Sequence, residues 1–365
     1  MMDQLTDNDD LSGIVLDQAD RLFAGVVTSD RLGAADRGEW QEAIWDAVEE
    51  AGLTLALVPE ARGGVGLLPG AAFALMRRSA YHALPVPLAE TMIGTALWAQ
   101  ASGRAMPGVL TLAPTSPHDS VRIERRSGGY ALQGAVGRVP WGARADQVLV
   151  YARAADGSGF LALVARGAAQ TTPYRNLANE PRESLTFDGA RLGADAVCPS
   201  GHVGPDGLLP FGALIRAQQM VGAMERCLDH ALRYAMERKQ FGRAIGKFQA
   251  VQMMLAEAAG QFAAATAAAD CAAEAYGSED FDFAVAVAKA RTGEAAGKVA
   301  EICHQVHGAM GFTQEHPLHF ATRRLWSWRD EFGHDPFWQE RIGRLVCRRG
   351  GEALWPMLTD ANLAG

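Results

Sequence analysis

The stretch RYAMERKQFGRAIGKFQAVQMMLAE, residues 233–257, passes from helical periodicity into a short basic segment broken by glycine and back again. Upstream, Met220, Met224, Cys227, Ala231 and Tyr234 recur at steps of four and three. Downstream, Phe248, Val251, Leu255, Ala258, Phe262, Ala265 and Ala269 keep that rhythm for six steps. Apolar stripes of this length face other helices in a bundle. The alanine run at 263–273 predicts close helix–helix approach. A third helix is expected over about 281–307 and a fourth over about 337–355. The connector Arg238-Lys239-Gln240-Phe241-Gly242, followed by Ile245-Gly246-Lys247-Phe248-Gln249, has two readings. It is an ordinary helical hairpin with a glycine cap and positive charge at a helix C-terminus. Or it is a grip for a phosphate and an adenine, with a guanidinium beside an aromatic ring.

Outward from the bundle, the composition changes. Residues 116–205 carry short alternating pieces, among them VRIERRSGGYALQGAVGRVPW, DQVLVYARAADGSGFLALVA and ESLTFDGARL. Ser127-Gly128-Gly129 and Asp156-Gly157-Ser158-Gly159 are turn sequences between them. A small antiparallel β-barrel domain is expected there. Residues 1–115 read as helical, with Trp40, Ile44 and Val48 on one face and a glycine-rich loop, Pro59-Glu60-Ala61-Arg62-Gly63-Gly64-Val65-Gly66. The expected organisation is α+β: an N-terminal helical domain (1–115), a middle β domain (116–205) and a C-terminal helical bundle (206–365).

Whole-chain properties narrow the function. Across 365 residues, Lys+Arg 34 against Asp+Glu 42 gives a net charge of −8, which disfavours general binding to a phosphate backbone. The 48% hydrophobic content suits a folded globular chain. The five cysteines are scattered, which suits neither a disulfide framework nor a zinc site. No apolar run has the roughly 20 residues of a membrane span, and the acidic start lacks the pattern of a secretory signal. These features point to a cytoplasmic protein without metal. His304, His307, His316 and His319 cluster, but not at metal-ligand spacing. Trp326, Trp328, Trp338 and Trp355 read as core or interface residues.

A second local signal is Gln305-Val306-His307-Gly308-Ala309-Met310-Gly311-Phe312-Thr313-Gln314-Glu315-His316-Pro317. Glycines at a helix end let backbone N–H groups approach a ligand, although a helix-terminating loop closed by proline explains the pattern equally well. Taken together, PEARGGVG, RYAMERKQFGRAIGKFQAVQMMLAE and QVHGAMGFTQEHPL resemble the acyl-CoA dehydrogenases, in matching order and across nearly the whole chain. The resemblance implies FAD as cofactor, an acyl-CoA thioester as substrate and electron-transferring flavoprotein as acceptor. It also implies α-proton removal by a carboxylate while the β-hydrogen leaves as hydride. In that family a partner subunit helps to hold the adenine half of FAD. The matching positions here are Arg238, Phe241, Gln249, Gln305 and Gly308, with Arg238 toward the pyrophosphate.

The chain departs from the family pattern in three places. Counting from Arg323 along RRLWSWRDEFG, the position of the usual catalytic glutamate is Phe332, with Asp330 and Glu331 just upstream. A one-residue displacement turns a helical side chain by roughly 100°, which would aim Glu331 elsewhere. The family's alternative glutamate position falls on Gly212-Ala213 or Ile215-Arg216, neither of which offers a carboxylate. In the β domain, Leu112-Ala113-Pro114-Thr115-Ser116-Pro117-His118-Asp119 lacks the glycines of the flavin-facing loop, and Trp141-Gly142-Ala143-Arg144-Ala145-Asp146 replaces a tryptophan-isoleucine-threonine loop. This combination is similar to the small subunits of heteromeric acyl-CoA dehydrogenases, several of which act on steroid side chains. The expectation is a dimer or tetramer in which this chain serves a catalytic partner subunit. A self-sufficient homo-oligomer with Glu331 as base and a non-redox scaffold are the competing readings.

Overall fold

The computed structural model describes the backbone of residues 2–114 and 116–359, and side chains from 12 to 356 except Thr115. In chain order the elements are α1 (Met2–Val26), α2 (Ser29–Arg37), α3 (Glu42–Glu50), α4 (Pro69–Tyr81) and α5 (Leu88–Ser102). Eight strands follow: β1 (Leu110–Ala113), β2 (Ser120–Arg126), β3 (Gly129–Pro140), β4 (Gln147–Arg153), β5 (Gly159–Ala165), β6 (Gln170–Arg175), β7 (Pro181–Leu192) and β8 (Val197–Pro199). Then come α6 (Leu209–Glu237), the two-residue strands β9 (Lys239–Gln240) and β10 (Arg243–Ala244), α7 (Gln249–Glu274) and α8 (Phe281–His307). The chain closes with α9 (Leu318–Asp330), α10 (Asp335–Arg349) and α11 (Leu354–Thr359). It divides into two compact units. One takes residues 1–75, 85–215 and 331–333; the other takes 76–84, 216–330 and 334–365.

The first unit is built on an eight-stranded sheet of order β6-β7-β3-β2-β4-β5-β8, with β1 beside β4. Pairing is antiparallel except where β4 meets β1 and β2. Alternation sets which face is buried: in β2, Val121 and Ile123 point inward between exposed neighbours. The sheet takes in β1 at 110–113, ahead of the alternating stretch that begins at 116, because Leu110, Thr111, Leu112 and Ala113 are all buried and show no period. Edge strand β6 is exposed throughout and carries Pro173, a residue that an inner strand could not accommodate. Helix α5 is buried from Leu88 to Ala99 on every face. It lies so close to β1 that a Cβ on Gly94 would meet the Leu110 side chain at 1.8 Å. Thr91 Oγ1 locks that contact, donating to the Leu110 carbonyl at 2.9 Å and accepting from its N–H at 3.2 Å.

The second unit is the helical bundle. Its core joins Met220, Met224, Cys227 and Ala231 of α6 to Ala258, Ala265 and Ala269 of α7 and to Ala295, Ala296, Val299 and Ala300 of α8. These are the stripes expected on α6 and α7. Leu325 and Trp328 place α9 in the same core, a helix that the mixed charge and tryptophan content of 318–330 had concealed. The expected fourth helix is interrupted by Gly350, with α10 ending at Arg349 and α11 starting at Leu354. Trp328 and Trp338 are buried, whereas Trp326 and Trp355 are exposed. Residues 76–84 are bolted to α6 by Arg78–Glu225 (3.1 Å) and by the Tyr81 hydroxyl donating to Asp229 Oδ2 (2.6 Å). Burial, then the Asp229 hydrogen bond, raises the Tyr81 pKa. Among the described residues, no helix is long and apolar enough to cross a membrane.

Gly222 sits where α6 passes the Arg77 carbonyl, and a Cβ there would lie 2.0 Å from that oxygen. Gly260 of α7 faces open space, with nothing within 4 Å. Gly222→Ala is therefore expected to cost about 2–3 kcal/mol through forced backbone movement. Gly260→Ala should be neutral or stabilising by up to about 1 kcal/mol. Urea unfolding midpoints of the two variants check the pair.

Candidate cofactor face and base position

Helix α6 ends at Glu237, and the chain reverses through a two-residue turn at Phe241-Gly242. Both turn residues have positive φ, 49° and 77°, as a tight hairpin of this handedness requires. Glycine adopts that conformation freely; phenylalanine does so at some cost. The Phe241 ring consequently stands out from the protein, 91% exposed. Phe248 meets it edge-on at 6.2 Å, and the Arg243 guanidinium lies over the Phe248 ring at 4.2 Å. The Arg238 carbonyl accepts from Ile245 N–H at 2.8 Å, which closes the base of the turn. Arg238 is exposed and has no carboxylate partner among the described residues. Gln249 opens α7 and is exposed as well.

Gln305 and Gly308 flank the C-terminal end of α8, both exposed. Gly308, at φ 59° and ψ −140°, takes a conformation that side chains resist, and nothing lies within 4 Å of its Cβ position. The ends of α6 and α8 touch: the Tyr234 ring stacks on His307 at 4.7 Å. So the second unit carries Arg238 and Phe241 just after α6, Gln249 at the start of α7, and Gln305 and Gly308 at the end of α8, which packs against the end of α6; all five are open to solvent. Leu232, Met236, Met253, Met310 and Phe312 of the same unit are exposed large apolar side chains.

The position that the resemblance assigns to the base lies in the first unit. Phe332 and Gly333 both have positive φ, 54° and 90°. The Phe332 ring turns inward, 1% exposed. It fills the place where Gly212 has no side chain, since a Cβ there would sit 2.0 Å from the ring. Glu331 is also buried, and both its oxygens are engaged. Arg182 of β7 donates from Nε to Oε1 at 2.8 Å and from Nη2 to Oε2 at 3.0 Å. Asn176 Nδ2 donates to Oε1 at 3.1 Å. The same guanidinium reaches Glu180 at 3.0 Å and the Pro181 carbonyl at 2.7 Å. Burial alone would lower the Arg182 pKa, but the Glu331 and Glu180 carboxylates raise it above the ordinary value.

The acyl-CoA dehydrogenase C-terminal domain matches residues 207–329. The acyl-CoA dehydrogenase IpdE2 of Mycobacterium tuberculosis is 26% identical over 292 residues, spanning 80% of this chain and 82% of that protein. Among solved structures, a chain of the ChsE4-ChsE5 complex from Mycobacterium tuberculosis superposes with a TM-score of 0.82 at 25% identity, over 92% of this chain and 96% of that one. The steroid ACAD Tcur3481-Tcur3483 gives 0.83 at 26% identity, over 93% and 99%. The chain has the acyl-CoA dehydrogenase fold, with that family's C-terminal domain at residues 207–329.

The α+β class and the family's fold are thus as the sequence implied. In the loops where the sequence departs from the family pattern, the chain's own side chains take up the local bonding. Asp146 accepts from Val109 N–H at 3.0 Å and pairs with Arg166 at 2.9 Å. Trp141 is buried, with Trp40 packed edge-on at 5.9 Å. Glu183 lies under the Gly142-Ala143 backbone, and burial raises its pKa against the pull of those two N–H groups. Thr115, in the other divergent loop, lies outside the described residues. Sequence reading missed Arg182, Asn176 and Glu180; the only available signal was an unusual concentration of charge, NEPRE, entering a strand.

Removing one charge of a buried pair leaves the other poorly solvated. Glu331→Gln should therefore destabilise the first unit by about 3 kcal/mol, whereas exposed Glu124→Gln should change stability by less than about 0.5 kcal/mol. Denaturant unfolding at neutral pH measures the difference.

Proposed function

We propose that this chain is the non-catalytic subunit of a heteromeric, FAD-dependent acyl-CoA dehydrogenase, supplying adenine-side contacts to the flavin of a catalytic partner. FAD, when bound, supplies the hydride acceptor for α,β-desaturation of an acyl-CoA thioester. The exposed set on the second unit fits such a group. Arg238 offers a charge-assisted fork for the pyrophosphate, Phe241 an uncovered ring, Gln249 and Gln305 amide groups, and Gly308 an open backbone. The base position does not fit a catalytic subunit. A phenyl ring accepts no proton, and the neighbouring carboxylate is held by three donors.

The single observation that carries this reading is the Arg182–Glu331 pair, at 2.8 and 3.0 Å. A general base must reach the proton it removes. For Glu331 to act so, both contacts to Arg182 would have to break, leaving a buried guanidinium short of a partner. That weighs against the self-sufficient enzyme with Glu331 as base. The solvent-facing Arg238 and Phe241 weigh against a scaffold without cofactor. The similarity to the ChsE4-ChsE5 complex and to a steroid ACAD supports a heteromer working on a steroid side-chain CoA ester. Electron-transferring flavoprotein is the acceptor that the family implies, and the cytoplasm the compartment. The exposed apolar residues support a dimer or tetramer.

The isolated chain is expected to be colourless and to turn over acyl-CoA negligibly with an artificial acceptor. Glu331→Gln in the assembled complex should leave turnover per bound flavin within about twofold of wild type. Arg238→Ala should lower flavin occupancy at least tenfold, because the lost contacts are charge-assisted. Robust turnover by the chain alone, abolished by Glu331→Gln, would restore the self-sufficient enzyme.

A further inference from the structure

The end of α8 is surrounded by imidazole rings. His307 is stacked on Tyr234 of α6 and meets His316 at 4.5 Å; His316 in turn meets His230 of α6 at 5.5 Å. His307 Nδ1 lies 2.6 Å from the Cys303 carbonyl, an acceptor, so Nδ1 carries the proton. The other ring nitrogen, Nε2, is buried; as an acceptor it makes no hydrogen bond, and the carbonyl of His230, on α6, would take one only from a proton there. This is a neutral imidazole packed among neutral imidazoles. Among the described residues, no group of three or more side chains here could hold a metal ion.

We infer that His307 is a positioning residue whose neutral ring clasps the end of α8 to α6, keeping Gln305 and Gly308 in register with Arg238, and that its protonation opens the clasp. The cofactor role of those three residues rests on the function proposed above; the clasp itself rests on ring geometry. Gln305 and Gly308 lie two residues before and one after His307, while Arg238 lies one helical turn beyond Tyr234. The Tyr234–His307 stack thus joins the two helix ends that carry all three.

The surroundings make protonation unfavourable. Burial lowers the His307 pKa, partly offset by the carbonyls of Cys303 and His230. His316 is lowered by burial and then by His307, His319 and His304. His230 is pushed down to about 3 by burial, with Arg226, His316, His307 and Arg233 acting in the same direction. The groups acting on the three rings are therefore cations from α6, imidazoles from α8, the 313–317 loop and α9, and two carbonyls. The sign follows from these directions. An opened imidazole binds its proton near pH 6.5, the closed one only at lower pH. The closed form carries no penalty above about pH 6.5 and loses stability progressively as pH falls below that value.

Hydrogen–deuterium exchange of the full chain tests the clasp without any flavin. After correction for intrinsic rates, amides 305–312 should lose at least tenfold protection between pH 7.5 and pH 5.0, while the α7 amides change little. His307→Phe keeps the stack and cannot titrate; His307→Asn keeps a donor for the Cys303 carbonyl. In either variant the tenfold loss should shrink below threefold. In the assembled complex, FAD retained after gel filtration should fall in wild type over the same pH range and hold in the variants. Unchanged wild-type protection at pH 5.0, or a full tenfold loss in both variants, overturns the clasp. Exchange that behaves as expected beside pH-independent FAD retention overturns its link to the cofactor. A complex without FAD at any pH instead refutes the function proposed above, and exchange still decides the clasp.

Discussion

Arg182 grips Glu331 with both arms of its guanidinium, and the shape of the chain around residue 332 follows from that grip. The two residues are 149 positions apart and both are buried, so neither charge can be left unmatched. Matching them draws Glu331 onto β7, and the connection from β6 adds Asn176 as a further donor and Glu180 as a second partner for the guanidinium. The backbone must then turn sharply, and it does so with two consecutive residues at positive φ. One of them is phenylalanine, which visits that region reluctantly. The strain is offset by burying a complete phenyl ring, and the ring fits because Gly212 leaves room for it. Charge pairing, backbone turn and ring burial support one another, and together they occupy the position that the resemblance assigns to the base.

The bundle was legible in the sequence because its signal is periodic and local. Ala258, Ala265 and Ala269 reveal their role by spacing alone, and all three are buried. β2 announces itself through Val121 and Ile123 for the same reason. β1 does not, since a strand buried on both faces has no alternation to read. α9 stayed hidden because its buried Leu325 and Trp328 are interleaved with arginines and exposed Trp326. For the candidate site the limit is sequence distance. Arg238, Phe241 and Gln249 stand close together in the chain, and a motif can mark them. The partner of Glu331 sits on another element, and no rule of local spacing connects NEPRE to RDEFG. Nor could spacing foresee that Tyr234 and His307 would stack, because that depends on how two helix ends meet.

The two units show opposite relations between side chains and solvent. In the first, side chains at the places where the sequence departs from the family pattern are engaged with the chain itself: Glu331 with Arg182, Asp146 with Arg166, Trp141 beneath Trp40. In the second, groups that would ordinarily be covered are left open. Phe241 is the sharpest instance, a residue in an uncomfortable backbone conformation with its ring in water. Neither feature stabilises the isolated chain. A left-handed phenylalanine costs of the order of 1 kcal/mol, and an exposed ring forgoes about 2 kcal/mol of burial.

That cost has a physical use only if something else covers the ring. A cofactor alone would satisfy Arg238 and Phe241, but it would leave Leu232, Met236 and Met253 uncovered, each 49% exposed or more. A protein surface alone would cover the apolar residues, but it would need its own anion to meet Arg238. A protein that carries a phosphate-bearing cofactor in its own site answers both demands at once. It brings an apolar surface for the methionines and leucine, a planar group for the phenyl ring and a pyrophosphate for the guanidinium. Under the function proposed above, the exposed face would be half of a composite site whose other half belongs to a chain with an intact flavin pocket. The buried ion pair in the first unit fits that proposal, because it engages the carboxylate next to the position that the resemblance assigns to the base.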